Sequence, residues 1–141
     1  MPFEPKNLPP NGRVVLLNVW RPLKRITRDP LAFLVPGSVK AEDRHEQIFQ
    51  RPPNTFKVFG KPVGDYWLDT VSYSDQHEWV FLEHQQTDEP VIFVQWDSKG
   101  VEAGSFEPNM SILHSSFVDD RYIHEPERAS IELKMLVFFE D

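Results

Sequence analysis

The 141-residue sequence contains no cysteine, so neither a disulfide framework nor thiolate chemistry is open to it, and a reducing compartment suits it. Basic charge is in short supply. Fifteen Lys and Arg stand against 22 Asp and Glu, a formal net charge of -7, which argues against nucleic acid or an anionic membrane as a partner. No apolar run approaches the length of a membrane span. The opening Met1-Pro2-Phe3-Glu4-Pro5 has neither the apolar stretch of a signal peptide nor the basic character of a transit peptide. A soluble, cytoplasmic protein is the expectation. Glycine is scarce, six residues against 13 prolines, which fits a loop-rich β protein with stiffened connections better than a helical bundle. No glycine-rich phosphate loop, nucleophile–histidine–acid triad, internal repeat or low-complexity tract is present. What remains is a chain 40% hydrophobic and 13% aromatic, of a length that supports one core.

Residues 1–12 are rich in Pro, Asn and Gly and read as an extended lead-in, with a single domain over 13–141. Val14 to Trp20 is a nearly continuous apolar run, the pattern of a strand buried on both faces, and Arg21-Pro22 is expected to end it. A short strand over Leu31–Val35 is closed by Pro36-Gly37. The helix formers of 41–50, with acids near the start, predict one short helix, stopped by Arg51-Pro52-Pro53. Strands are expected over 55–59 and 65–74, and a hairpin pairing 77–85 with 91–96 across the polar stretch 86–89. Short strands around 101–106 and 111–118 follow. About eight to ten short strands with turn signals every eight to twelve residues form the pattern of a sandwich, jelly roll or small barrel.

The last third carries the chemistry. A strand holding His114 is joined by an acidic loop to a second strand that opens with Arg128-Ala129-Ser130. Side chains alternate along a strand, so Ile131, Leu133, Met135, Val137 and Phe139 share one face. Ser130, Glu132 and Lys134 share the other with Arg128. An apolar interior would turn Arg128 and Ser130 outward unless a bulge re-aims them.

The ordered blocks N-V-W-R-P-L (18–23), D-P-L-A (29–32), H-E-W (77–79), D-E-P (88–90), D-S-K (97–99), H-S-S-F-V-D (114–119) and E-R-A-S-I-E-L-K-M-L-V-F (127–138) carry a resemblance. From about residue 14 to 139 the chain resembles the C-terminal half of the fungal gibberellin-desaturase and cephamycin-methoxylation type of hydroxylase/desaturase. That family resembles iron(II)- and 2-oxoglutarate-dependent oxygenases on a double-stranded β-helix, or jelly-roll, scaffold, often encoded in secondary-metabolite gene clusters. The resemblance implies that His114 occupies the place of the distal iron-binding histidine, and that Arg128 and Ser130 grip the 2-oxoglutarate carboxylate. A guanidinium fork beside a hydroxyl suits a carboxylate, and two histidines with one carboxylate leave open positions on iron.

One departure separates the chain from that family. The resemblance calls for an H-x-D pair upstream of N-V-W-R-P-L, where residues 1–13 contain no histidine. Histidines 45, 77, 84 and 124 stand in no H-x-D or H-x-E arrangement. The expectation drawn from this loss is a small pocket enzyme of fungal natural-product biosynthesis on a degenerate oxygenase scaffold: a cyclase or isomerase working without metal or cofactor, with His114 and Arg128 as catalytic groups. Trp20, Arg21, Trp79, Ser116 and Ser130 are the substrate-binding candidates, around an apolar small molecule. Each also has a plainer reading: a hydrogen-bonded core histidine for His114, a surface ion-pair partner for Arg128, core packing for Trp20 and Trp79. Two further readings stand beside the first. One is a working oxygenase with Fe(II), 2-oxoglutarate and His114 as a metal ligand; the other is a non-catalytic subunit that forms a heterodimer with a longer homologue. Open sheet edges also favour a homodimer.

Overall fold

The computed structural model describes residues 12–50, 57–58, 61–62, 66–98 and 111–139, which form ten strands and three single turns of 3-10 helix. The frame is set by β1 (Arg13–Pro22), which continues through Pro22 rather than stopping before it. A proline is tolerated at a strand end, where no ladder bond is lost. β2 (Leu31–Leu34), β3 (Arg44–Phe49), β4 (Lys57–Val58), β5 (Lys61–Pro62), β6 (Tyr66–Val71) and β7 (Trp79–Phe81) follow. β8 (Val91–Asp97), β9 (His114–Ser116) and β10 (Ser130–Phe139) complete the set. All pairings are antiparallel. One three-stranded sheet runs β10–β1–β8 and another runs β7–β2–β9, with β3–β6 and β4–β5 as two-stranded ribbons. No helix among the described residues is long and apolar enough to cross a membrane.

The two larger sheets share one buried cluster. Trp20 of β1, Phe93 of β8 and Leu31 of β2 meet Ile26, with Phe33, Val91 and Ile112 packed against them. Burying an aromatic side chain of this size contributes roughly 4–6 kcal/mol of transfer free energy. Phe33 meets Phe93 edge-to-face at 5.0 Å between ring centroids. The Arg13 guanidinium binds the Asp97 carboxylate and lies 5.4 Å from the centre of the Phe139 ring, which ties β8, β1 and β10 together at one end.

Three expectations are corrected. The helix over 41–50 is a 3-10 turn, Ala41–Asp43, followed by a strand. Arg44–Phe49 pairs residue by residue with Tyr66–Val71, and ladder formation outweighs a helix propensity of a few tenths of a kcal/mol per residue. The hairpin of 77–85 with 91–96 is absent. β7 pairs with β2 and β8 with β1, in different sheets. His84 sits at φ 55°, and buried Gln85 donates to the Glu89 carbonyl (2.5 Å) and accepts from the Ile26 amide (2.9 Å), so the segment crosses between sheets. The 111–118 strand shrinks to His114–Ser116: the Leu113 carbonyl still accepts from the Leu34 amide of β2, but the Ile112 amide already turns to the Val94 carbonyl of β8. The expected strand at 101–106 and all but residue 12 of the expected lead-in over 1–12 lie outside the described residues.

Buried Ile26 and outward-facing Leu133 give a check on this arrangement. Ile26→Ala is expected to cost about 2–5 kcal/mol in chemical denaturation, and Leu133→Ala about 0.5 kcal/mol or less. Comparable losses at both positions would mean that the faces are assigned wrongly.

Candidate functional site

Directly opposed residues of an antiparallel pair share a face. Register therefore decides where the candidates stand. Pro22 faces Ser130, Trp20 faces Glu132 and Asn18 faces Lys134, with Pro22, Trp20 and Asn18 buried. The face of β10 on the side of these buried residues is thus its polar one, with Ser130, Glu132 and Lys134, of which Glu132 and Lys134 are themselves exposed, and the apolar set Ile131, Leu133 and Met135 lies on the other face. No bulge interrupts this pairing. Two residues before Ser130, Arg128 is half-buried and its guanidinium carbon lies 5.5 Å from the centre of the buried Trp20 ring. Its Nη1 donates to the Asp29 carbonyl at 2.7 Å. Asp29 is in the left-handed region, φ 58°, just before Pro30, so this bond braces a strained turn that leads into β2. No carboxylate among the described residues forms an ion pair with Arg128.

His114 stands on the other sheet. It is opposite Phe33, on the face that Phe33 turns to the shared cluster, and its ring meets Phe93 edge-to-face at 4.6 Å and Phe33 at 6.2 Å. The His114 Nδ1 lies 2.8 Å from the Ile112 carbonyl. A carbonyl only accepts, so Nδ1 carries a proton, and in that tautomer the lone pair is on Nε2. Ser116 follows on the same face, opposite the buried Leu31, at the exposed end of β9.

Arg21 and Trp79 stand elsewhere. Arg21 alternates away from Trp20 onto the outer face, and its Nε donates to the Thr87 carbonyl at 2.8 Å. Trp79 is opposite Leu34, on the face away from Phe33, where it borders an open groove of about 370 Å³ with Tyr73, Asp75 and His77. The structure brings together Trp20, Arg128 and Ser130 on one side of the shared cluster, with His114 and Ser116 on the other. Sequence reasoning missed Asn18. It is fully buried within the apolar run of β1; its Nδ2 donates to Glu132 Oε1 at 2.8 Å, and its Oδ1 has no hydrogen-bond partner. An amide inside Val-Leu-Leu-Asn-Val-Trp was the available signal, since a buried polar side chain needs partners.

Residues 1–138 match the family described as an oxidoreductase/YMDC permease-like domain. The chain belongs to that family. The chain is also similar to the alpha-ketoglutarate-dependent dioxygenase phiK of a fungal species (strain ATCC 74256), 30% identical over 132 residues, 91% of this chain and 42% of phiK. The gibberellin cluster GA4 desaturase of Gibberella fujikuroi is 30% identical over 127 residues, 90% of this chain and 35% of the desaturase. The resemblance to fungal hydroxylase/desaturases therefore holds. A structure of the iron and alpha-ketoglutarate-dependent endoperoxidase NvfI superposes with a TM-score of 0.68 at 23% identity, over 92% of this chain and 43% of that one, a likeness of fold that agrees with the jelly roll. The chain spans about half or less of the length of these proteins.

The expectation of a cofactor-free protein is overturned by these relatives. phiK depends on alpha-ketoglutarate, and NvfI on iron and alpha-ketoglutarate. The described residues do not complete an iron site. Among the described residues no group of three His, Asp or Glu stands close enough together to hold a metal ion. His114 alone has the form of a ligand, one ring nitrogen donating to a backbone carbonyl and the other free to coordinate. Nitrogen-15 NMR of the imidazole tests that form. A protonated Nδ1 and a pyridine-like Nε2 are expected for the neutral ring, and the opposite tautomer would remove His114 from consideration as an Nε2 ligand.

Proposed function

We propose that the chain is part of an iron- and 2-oxoglutarate-dependent oxidoreductase of the hydroxylase/desaturase type, acting on an apolar small molecule in fungal natural-product biosynthesis. One observation carries this reading: Arg128 is a half-buried cation lying over the buried Trp20 ring, with no carboxylate partner among the described residues and with Ser130 next on its strand face. A cation kept in such a place is poised for an anion from outside the fold. In this reading the guanidinium and the Ser130 hydroxyl take a carboxylate of 2-oxoglutarate. Trp20 holds the guanidinium plane, and the Asp29 carbonyl fixes its far edge. His114 offers Nε2 to the metal, while Phe33 and Phe93 set the ring and exclude water from one side of it. Ser116, at the open end of β9, contacts substrate. Iron needs at least two further donors beside His114, and the described residues do not supply them.

Calorimetric titration of the chain with 2-oxoglutarate tests the anion site separately from the metal. Arg128→Ala is expected to weaken binding about ten- to a hundredfold, the worth of charge-assisted hydrogen bonds. Arg128→Lys is expected to restore only part of it, because an ammonium lacks the planar fork. Equal affinity in the wild type and Arg128→Ala, or no binding by the wild type, would overturn the reading.

A further inference from the structure

Two acids stand where they could neutralise Arg128, and both are engaged elsewhere. The Asp29 carbonyl accepts from the Arg128 guanidinium at 2.7 Å, yet the Asp29 carboxylate lies with Arg28, 3.2 Å from its Nε. Glu132 shares the face of Ser130 and is opposite Trp20, over whose ring the Arg128 guanidinium lies. Four residues of extended chain span about 13 Å, a distance that an arginine and a glutamate can close between them over Trp20. The Glu132 carboxylate turns the other way along the strand instead. Its Oε1 accepts from Asn18 Nδ2 at 2.8 Å and lies 3.7 Å from the Lys134 ammonium.

Of these two holds on Glu132, Asn18 is the fixed one. Lys134 is exposed, and an exposed ion pair is weak. Asn18 is fully buried, so its amide is locked in place by packing. Packing alone does not account for an amide inside Val-Leu-Leu-Asn-Val-Trp. Its Oδ1 has no hydrogen-bond partner among the described residues, a cost that a valine in the same place would not carry.

We propose that Asn18 is a positioning residue for the anion site: by holding the Glu132 carboxylate on the far side of Trp20, it keeps Arg128 free for the carboxylate of a ligand. The proposal rests on the reading of Arg128 and Ser130 as an anion site given above. Without the Asn18 donor, Glu132 swings past Trp20 toward Ser130 and Arg128. There it pairs with the guanidinium and repels an incoming carboxylate, and both effects lower the affinity for an anion.

The test is a double-mutant cycle read by calorimetric titration of the 141-residue chain with 2-oxoglutarate. Asn18→Val is expected to bind about tenfold more weakly than the wild type, the worth of one charge-assisted contact. Its denaturation midpoint is expected to stay level or rise, because the unmet oxygen is gone. Glu132→Gln alone is expected to bind at least as tightly as the wild type, and in the Asn18→Val background to restore most of the lost affinity. That rescue is the result that a packing role for Asn18 does not produce. Asn18→Ala repeats the cycle with a smaller side chain, and near-UV circular dichroism reports the fold of each variant. Three outcomes would overturn the proposal: Asn18→Val with wild-type affinity; a weakened Asn18→Val that Glu132→Gln leaves weak; or loss of the folded state in both Asn18 variants, which would make the residue structural. Arg128→Ala separates this proposal from the reading on which it rests. Binding that is lost in Arg128→Ala and unchanged in Asn18→Val keeps the anion site and removes the role of Asn18, whereas a wild type that binds no 2-oxoglutarate removes both.

Discussion

Ten consecutive residue pairs, from Arg13 opposite Phe139 to Pro22 opposite Ser130, fix the face of every side chain on β10. Because the side-chain period of a strand is two, a slip of one residue would exchange the two faces completely. The register is held at one end by Arg13, which binds Asp97 and covers Phe139, and at the other by the Leu23 amide donating to the Ala129 carbonyl at 2.9 Å. Between them Asn18 reaches across to Glu132. With that pairing in place, Trp20 and Ser130 lie on one side of the sheet and Ile131 and Leu133 on the other.

The candidate site follows from the same constraint. Arg128 enters the strand on the side of Trp20 and reaches the Asp29 carbonyl at the turn into β2, so the guanidinium joins the entrances of two strands from different sheets. His114 approaches the shared cluster from β9 through Phe93 and Phe33. Among the described residues both side chains are positioned by aromatic packing and by backbone carbonyls, not by opposing charges.

Much of the frame was legible in the residues. Val14–Trp20, Leu31–Leu34, Val91–Trp96 and Ile131–Phe139 announce strands through apolar runs or β-branched and aromatic content, and the ordered blocks point to the family. The rest depends on partners distant in sequence. Arg44–Phe49 carries helix formers, yet Tyr66–Val71 offers it a ladder. The polar stretch after β7 resembles a hairpin loop, but Gln85, buried among its hydrogen bonds, carries the chain to the other sheet. Alternation divided β10 into two faces correctly. Which face turned inward was not legible from β10 itself, because most of its side chains on both faces are exposed and only the buried Asn18, Trp20 and Pro22 of β1, opposite Lys134, Glu132 and Ser130, settle it. The tautomer of His114 needed the position of the Ile112 carbonyl, which no spacing rule supplies.

A crystal structure of the chain grown with saturating 2-oxoglutarate tests the central claim most directly. The account predicts a ligand carboxylate bound by the Arg128 guanidinium and the Ser130 hydroxyl, beside the Trp20 ring. A ligand held at any other place, or an Arg128 side chain turned to the outer face of the sheet, would contradict it.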